Sequence, residues 1–132
     1  MLLIAYRLLP GAGPLVVFLP GYMSDMTGSK AEALSDWARA HGRAFLRLDY
    51  SCCGASSGDF LDGSIGRWTD DALALINHVW LNGKVVLVGS SMGGWIALLL
   101  ARALARRGES GRLKAVVLIA PAVDMTEELM LK

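Results

Sequence analysis

Cysteine, histidine and charge of a single sign are what this sequence has least of. Its two cysteines, Cys52 and Cys53, are neighbours, and adjacent residues are poorly placed for an ordinary disulfide. A disulfide-stapled secreted scaffold is therefore excluded, and a reducing, cytoplasmic setting is expected. The balance of 13 basic against 12 acidic residues leaves a formal net charge of +1. With no basic run and no acidic tail, nothing points to nucleic acid as a partner. Long apolar runs are missing too. The opening MLLIAYRLLP carries Arg7 inside its apolar stretch and lacks the basic start and small-residue cleavage site of a signal peptide. Between Val85 and Ala101 the apolar run is broken at Gly89-Ser90-Ser91 and Gly93-Gly94, well short of a membrane span. No transmembrane segment is expected.

What is present is apolar material, 54% of 132 residues, enough for the core of one compact domain. Residues 1–132 are accordingly read as a single domain. Leu2 to Leu8 and Leu15 to Leu19 are strand-like runs separated by Pro10-Gly11-Ala12-Gly13-Pro14, a turn that stops both helix and strand. Ser29 with Glu32 three residues on is a capping-box pattern, and Ala33, Leu34, Trp37 and Ala38 then share a helical face until His41-Gly42. Ala44 to Tyr50 reads as a strand, and Ser51 to Ser64 as a Gly/Ser/Asp-rich loop. Trp68, Ala72, Leu75, Ile76 and Val79 recur at helical spacing; a strand at Val85 to Val88, a helix from Met92 to about Arg106 and a strand at Leu113 to Ala120 follow. Short apolar strands alternating with amphipathic helices predict an α/β fold, a mostly parallel sheet with helices on both faces. In such a sheet the site lies beyond the carboxyl ends of the strands.

One of those ends carries Gly89-Ser90-Ser91-Met92-Gly93, a match to G-x-S-x-G. With this glycine and serine content chance alone gives roughly 0.1 matches, yet Gly54-Ala55-Ser56-Ser57-Gly58 matches as well. Context separates the two. A nucleophile elbow is a strained turn running directly from strand into helix. Ser91 has Val85-Val86-Leu87-Val88 before it and Trp95-Ile96-Ala97-Leu98-Leu99-Leu100 after it, whereas Ser56 has loop on both sides. Ser91 is the candidate nucleophile. Attack on a carbonyl also needs backbone N–H donors for the oxyanion. Met92 N–H, at the start of the following helix, is one candidate; Tyr22 N–H, after Pro20-Gly21, is the other. A P-loop is excluded, because six residues separate Gly21 from Gly28 where four are needed and Gly28-Ser29-Lys30 has the wrong order.

These residues resemble the α/β-hydrolase superfamily, and within it the branch of small acyl-protein thioesterases and acyl-glucuronide esterases. The resemblance rests on Leu19-Pro20-Gly21-Tyr22-Met23-Ser24-Asp25-Met26-Thr27-Gly28-Ser29-Lys30-Ala31, on Leu48-Asp49-Tyr50-Ser51 with Gly54 and Ser57-Gly58, on Gly66-Arg67-Trp68 and on Val88-Gly89-Ser90-Ser91-Met92-Gly93-Gly94-Trp95. It implies a partial α/β-hydrolase fold with Ser91 as nucleophile and Tyr22 and Met92 as the oxyanion hole. It further implies hydrolysis of a small acyl ester or thioester, with neither metal nor cofactor.

The rest of the triad is harder to place. In α/β-hydrolases the acid and then the histidine follow the serine, but none of the 41 residues after Ser91 is histidine. His41 closes a helix, where a cation suits the dipole, and His78 lies in the helix before the Ser91 strand. Both read as structural. Asp124 is a possible acid, and equally a cap for a short helix from Thr126 to Leu131. The expectation is the amino-terminal portion of a serine hydrolase whose acid and histidine lie outside this chain. Self-association or a companion C-terminal half then goes with an open sheet edge at Leu113 to Ala120. The alternative is a non-catalytic interaction or binding protein that retains the scaffold.

Overall fold

The computed structural model describes residues 5–21, 28–49, 65–81 and 83–119. Its elements are β1 (Tyr6–Leu9), β2 (Ala12–Leu19), α1 (Ser29–Ala40), β3 (Arg43–Leu48), α2 (Ile65–Val79), β4 (Val85–Ser90), α3 (Met92–Arg106), a 3-10 turn (Ser110–Arg112) and β5 (Leu113–Ile119). The strands form one sheet in the order β1-β3-β2-β4-β5. β1 runs antiparallel to β3, and every other pairing is parallel.

Side-chain alternation along β2 divides the core. Leu15, Val17 and Leu19 face a layer built with Trp68, Ala72 and Ile76 of α2 and Ile96, Ala97 and Leu100 of α3. Val16 and Phe18 face the other way, with Phe45, Val88 and the α1 residues Ala31 and Ala38. Helices thus cover both faces, and the α/β architecture read from the sequence is the one observed.

Three local expectations are corrected. β2 begins at Ala12, before Pro14, rather than at Leu15. Its pairing with β3 shifts register between Ala12 and Val16, and such an irregularity is where a strand tolerates proline's missing N–H donor. The N-cap of α1 is Gly28, not Ser29, and no side chain caps it. Glu32 does not reach back as a capping box; its carboxylate pairs with the buried Arg47 on β3 at 2.8 Å. The buried stripe of α1 is Ala31, Ser35 and Ala38, while Ala33 and Trp37 are exposed. Small residues let the helix lie close over Phe18 and Phe45, and Trp37 instead stacks on the ring of His41, with centroids 4.9 Å apart.

At the far side of the sheet β5 pairs only with β4 among the described residues. Its Val117 and Leu118 are 45% and 42% exposed. The expected residues Leu2 to Ile4, the loop Ser51 to Ser64, and the continuation past Ile119 lie outside the described residues.

Candidate active site

The chain passes from β2 through α1 to β3 on one side of β2, and through α2 to β4 on the other. Connections that leave in opposite directions open a crevice between β2 and β4 at their carboxyl ends. Ser91 stands there, one residue beyond β4 and one before α3.

Its backbone has φ 58° and ψ −121°. Among the described residues it is the one non-glycine at positive φ, a conformation that costs about 1–3 kcal/mol and persists only where the surroundings dictate it. Here they do so by contact. A methyl added at Gly89 would collide with the Gly93 carbonyl, and one at Gly93 with the Leu19 carbonyl. On the β2 side, a methyl at Gly21 would stand 2.9 Å from Ser91 Cβ. The backbone itself is tied by Ser91 N–H donating to Ile119 O at 3.2 Å and by Gly94 N–H donating to Ser91 O at 2.9 Å.

Although Ser91 occupies the N-cap position of α3, its hydroxyl makes no capping bond. A serine there ordinarily accepts from an N–H in the first turn. This one is left for other work. Met92 opens α3, where the first-turn amides have no intrahelical acceptor and the helix dipole favours negative charge.

Between the end of β2 and the start of α1 lies a cavity of about 180 Å³ walled by Phe18, Pro20, Gly21, Lys30 and Ser90, with Ser91 not among its walls. Lys30 Nζ donates to Ser90 Oγ at 3.1 Å. Asp49, just past β3, is 1% exposed. The histidines lie elsewhere. His41 follows α1 and His78 is in the last turn of α2, so both sit at the amino-terminal edge of the sheet, opposite Ser91. His41 is committed to Trp37, its Nδ1 lying 2.8 Å from the Trp37 carbonyl. Tyr22, Asp124, Ser56, Cys52 and Cys53 lie outside the described residues. Among those described, no helix is long and apolar enough to cross a membrane, and no group of three or more His, Cys, Asp or Glu could hold a metal ion.

Residues 16–131 match the model of the alpha/beta hydrolase family. The chain belongs to the alpha/beta hydrolase family. It is similar to the mitochondrial palmitoyl-protein thioesterase ABHD10 of Rattus norvegicus, 40% identical over 92% of this chain and 39% of that protein. It thus spans about two fifths of the length of that curated relative. It is also similar to the crystal structure of an Agrobacterium vitis S4 protein, with a TM-score of 0.84 and 45% identity over 96% of this chain and 50% of that one. An esterase from Exiguobacterium antarcticum matches with a TM-score of 0.74 and 27% identity, over 90% of this chain and 41% of that one.

One expectation falls here. The cytoplasmic setting is overturned by the thioesterase relatives, which are named as mitochondrial. Two cysteines adjacent in sequence, poorly placed for an ordinary disulfide, argue against an oxidising compartment, but they do not choose among the reducing ones.

Proposed function

We propose that this chain carries the nucleophile of a serine hydrolase acting on small carboxylic esters or thioesters. The observation that supports it most is the positive φ of Ser91, held by close packing around a hydroxyl that caps nothing. Ser91 Oγ attacks the acyl carbonyl, and the amides of Met92 and Tyr22 hold the oxyanion. Collapse expels the alkoxide or thiolate, which leaves with the serine's proton, and water then releases the acid. The hydroxyl needs a base to be a good nucleophile at neutral pH, and the two histidines stand at the wrong edge of the sheet. The histidine is therefore supplied from outside this chain, with Asp124 a candidate for the acid. In this reading residues 1–132 form one domain, the amino-terminal portion of the hydrolase fold. The exposed β5 edge would be covered by a companion C-terminal half, or by a second copy where that is missing.

The placement of both histidines also favours a second reading, a scaffold that binds without catalysis. A fluorophosphonate probe distinguishes the two. An adduct on Ser91 that disappears in Ser91→Ala supports the hydrolase, and a folded chain left unlabelled even with the C-terminal half supplied favours the scaffold. An adduct on Ser56 would refute the assignment of the nucleophile. For the open edge, light scattering at micromolar concentration should report self-association, and a clean monomer would refute it.

A further inference from the structure

Lys30 is an odd residue where it stands. It is the second residue of α1, in a first turn where the helix dipole disfavours a cation. The carboxylate two positions on does not offset this, because Glu32 is engaged by Arg47 at 2.8 Å. Among the described residues Lys30 makes no ion pair. Its ammonium reaches 60 positions along the chain to Ser90 Oγ, at 3.1 Å. Ser90 is only 5% exposed and is the residue through which β4 enters the strained Ser91. A residue that breaks a local rule usually answers to some other constraint.

The constraint is visible at the elbow. Ser91 is held by Gly21 packed against its Cβ and by backbone bonds to Ile119 and Gly94. The Lys30 bond to Ser90 is the side-chain tether that joins them, tying α1 to the residue before the nucleophile. Resting on the reading of Ser91 as nucleophile, we propose that Lys30 is a positioning residue that acts through the Ser90 hydroxyl to hold Ser91 in its reactive conformation. The charge also matters to the bond, since a hydrogen bond from an ammonium is stronger than one from a neutral donor.

Two measurements test this, both on the 132-residue chain with the C-terminal half that carries the missing histidine supplied. In the first, the rate of fluorophosphonate labelling at Ser91 is compared across variants that unfold at the wild-type temperature. Lys30→Met should slow labelling about tenfold, the loss of one charge-assisted hydrogen bond, and Ser90→Ala should slow it as much. Lys30→Arg should restore most of the rate. The double variant Lys30→Met/Ser90→Ala should be no slower than either single one, because both remove the same interaction. Wild-type labelling in Lys30→Met, or effects that multiply in the double variant, would overturn the proposal. The second measurement is independent of Ser91 chemistry. Amide hydrogen exchange at Ser91 and Gly94 should quicken in Lys30→Met and Ser90→Ala, while α2 stays unchanged. Unaltered exchange at the elbow overturns the proposal even if no variant labels. Absence of labelling in wild type, with exchange quickened as expected, would instead remove Ser91 as nucleophile and leave the tether standing.

Discussion

Replacing Gly93 by alanine sets two effects of opposite sign against each other. Alanine is the better helix former by about 1 kcal/mol, and Gly93 is the second residue of α3. Against this, the new methyl would collide with Leu19 O and stand 2.6 Å from Leu19 C and 2.7 Å from Pro20 O. Ordinary contacts of carbon lie at about 3.5–4.0 Å, so the overlap is close to an ångström. Every colliding atom is backbone, and no side-chain rotation relieves it. The start of α3 would have to lift off the end of β2. Overpacking costs about 1–3 kcal/mol, occasionally more, and this case belongs at the upper end. The net result should be a loss of about 2 kcal/mol after the helix gain is subtracted. Two neighbours calibrate the figure. A methyl at Gly94 meets only the flexible tip of Leu118 at 3.3 Å and Gly89 O at 3.8 Å, and one at Gly66 meets nothing within 4 Å. Gly94→Ala should therefore be near neutral and Gly66→Ala stabilising. Urea unfolding followed by tryptophan fluorescence reads the series. With a slope of about 1–3 kcal/mol per molar urea, Gly93→Ala should lower the midpoint by about 1 M. A midpoint at or above wild type, or an equal fall in Gly94→Ala, would refute the packing described for the elbow.

Ser91→Gly should abolish probe labelling while raising stability by about 1 kcal/mol, because glycine relieves the strain of positive φ at a smaller entropic penalty; unchanged or lower stability would show that the surroundings do not strain this residue. Glu109 should produce a pH effect. Its hydrogen bond from Arg107 at 2.7 Å, with Arg112 at 3.3 Å, holds its carboxyl below the usual carboxylate range. A lowered folded-state pKa gives stability that is present above the unfolded value and is lost as pH falls through the folded one. The urea midpoint of wild type should thus exceed that of Glu109→Gln at about pH 6 and converge with it as pH falls through the lowered folded-state value. A constant gap across that range would refute the pairing.

Periodicity and turn chemistry disclose most of the elements, because the central strands are short continuous apolar runs buried on both faces and the helices of 12 to 15 residues are amphipathic. They failed where a longer-range partner intervened. The Ser29–Glu32 spacing looks like a capping box, yet Arg47, distant in sequence, claims the carboxylate. Of the face expected for α1, Ala38 is buried but Ala33 and Trp37 are not, because closeness to Phe18 and Phe45 favours the small residues Ala31, Ser35 and Ala38. The strained turn at Ser91 is legible because it is a local object, a strand, a turn and a helix in succession. Lys30 was visible only as part of a rejected phosphate-binding pattern. The one signal within the sequence was a cation in the first turn of a helix, and its meaning depended on a residue 60 positions away.

The crevice also sets the order in which this chain becomes useful. Its walls are β2 and β4, which pair Leu15 with Val85, 85 − 15 = 70 positions apart. Other strand pairs close shorter loops, such as Tyr6 with Leu48 and Val86 with Ala115. Contacts of high sequence separation carry the largest closure entropy and tend to limit the folding rate. The seam that holds Ser91 is therefore expected to close late. A nascent chain cannot display the site before about residue 90 has left the ribosome, and a half-folded one does not display it at all. With Ser91 as the proposed nucleophile, its labelling would serve as a readout of the closed β2–β4 seam.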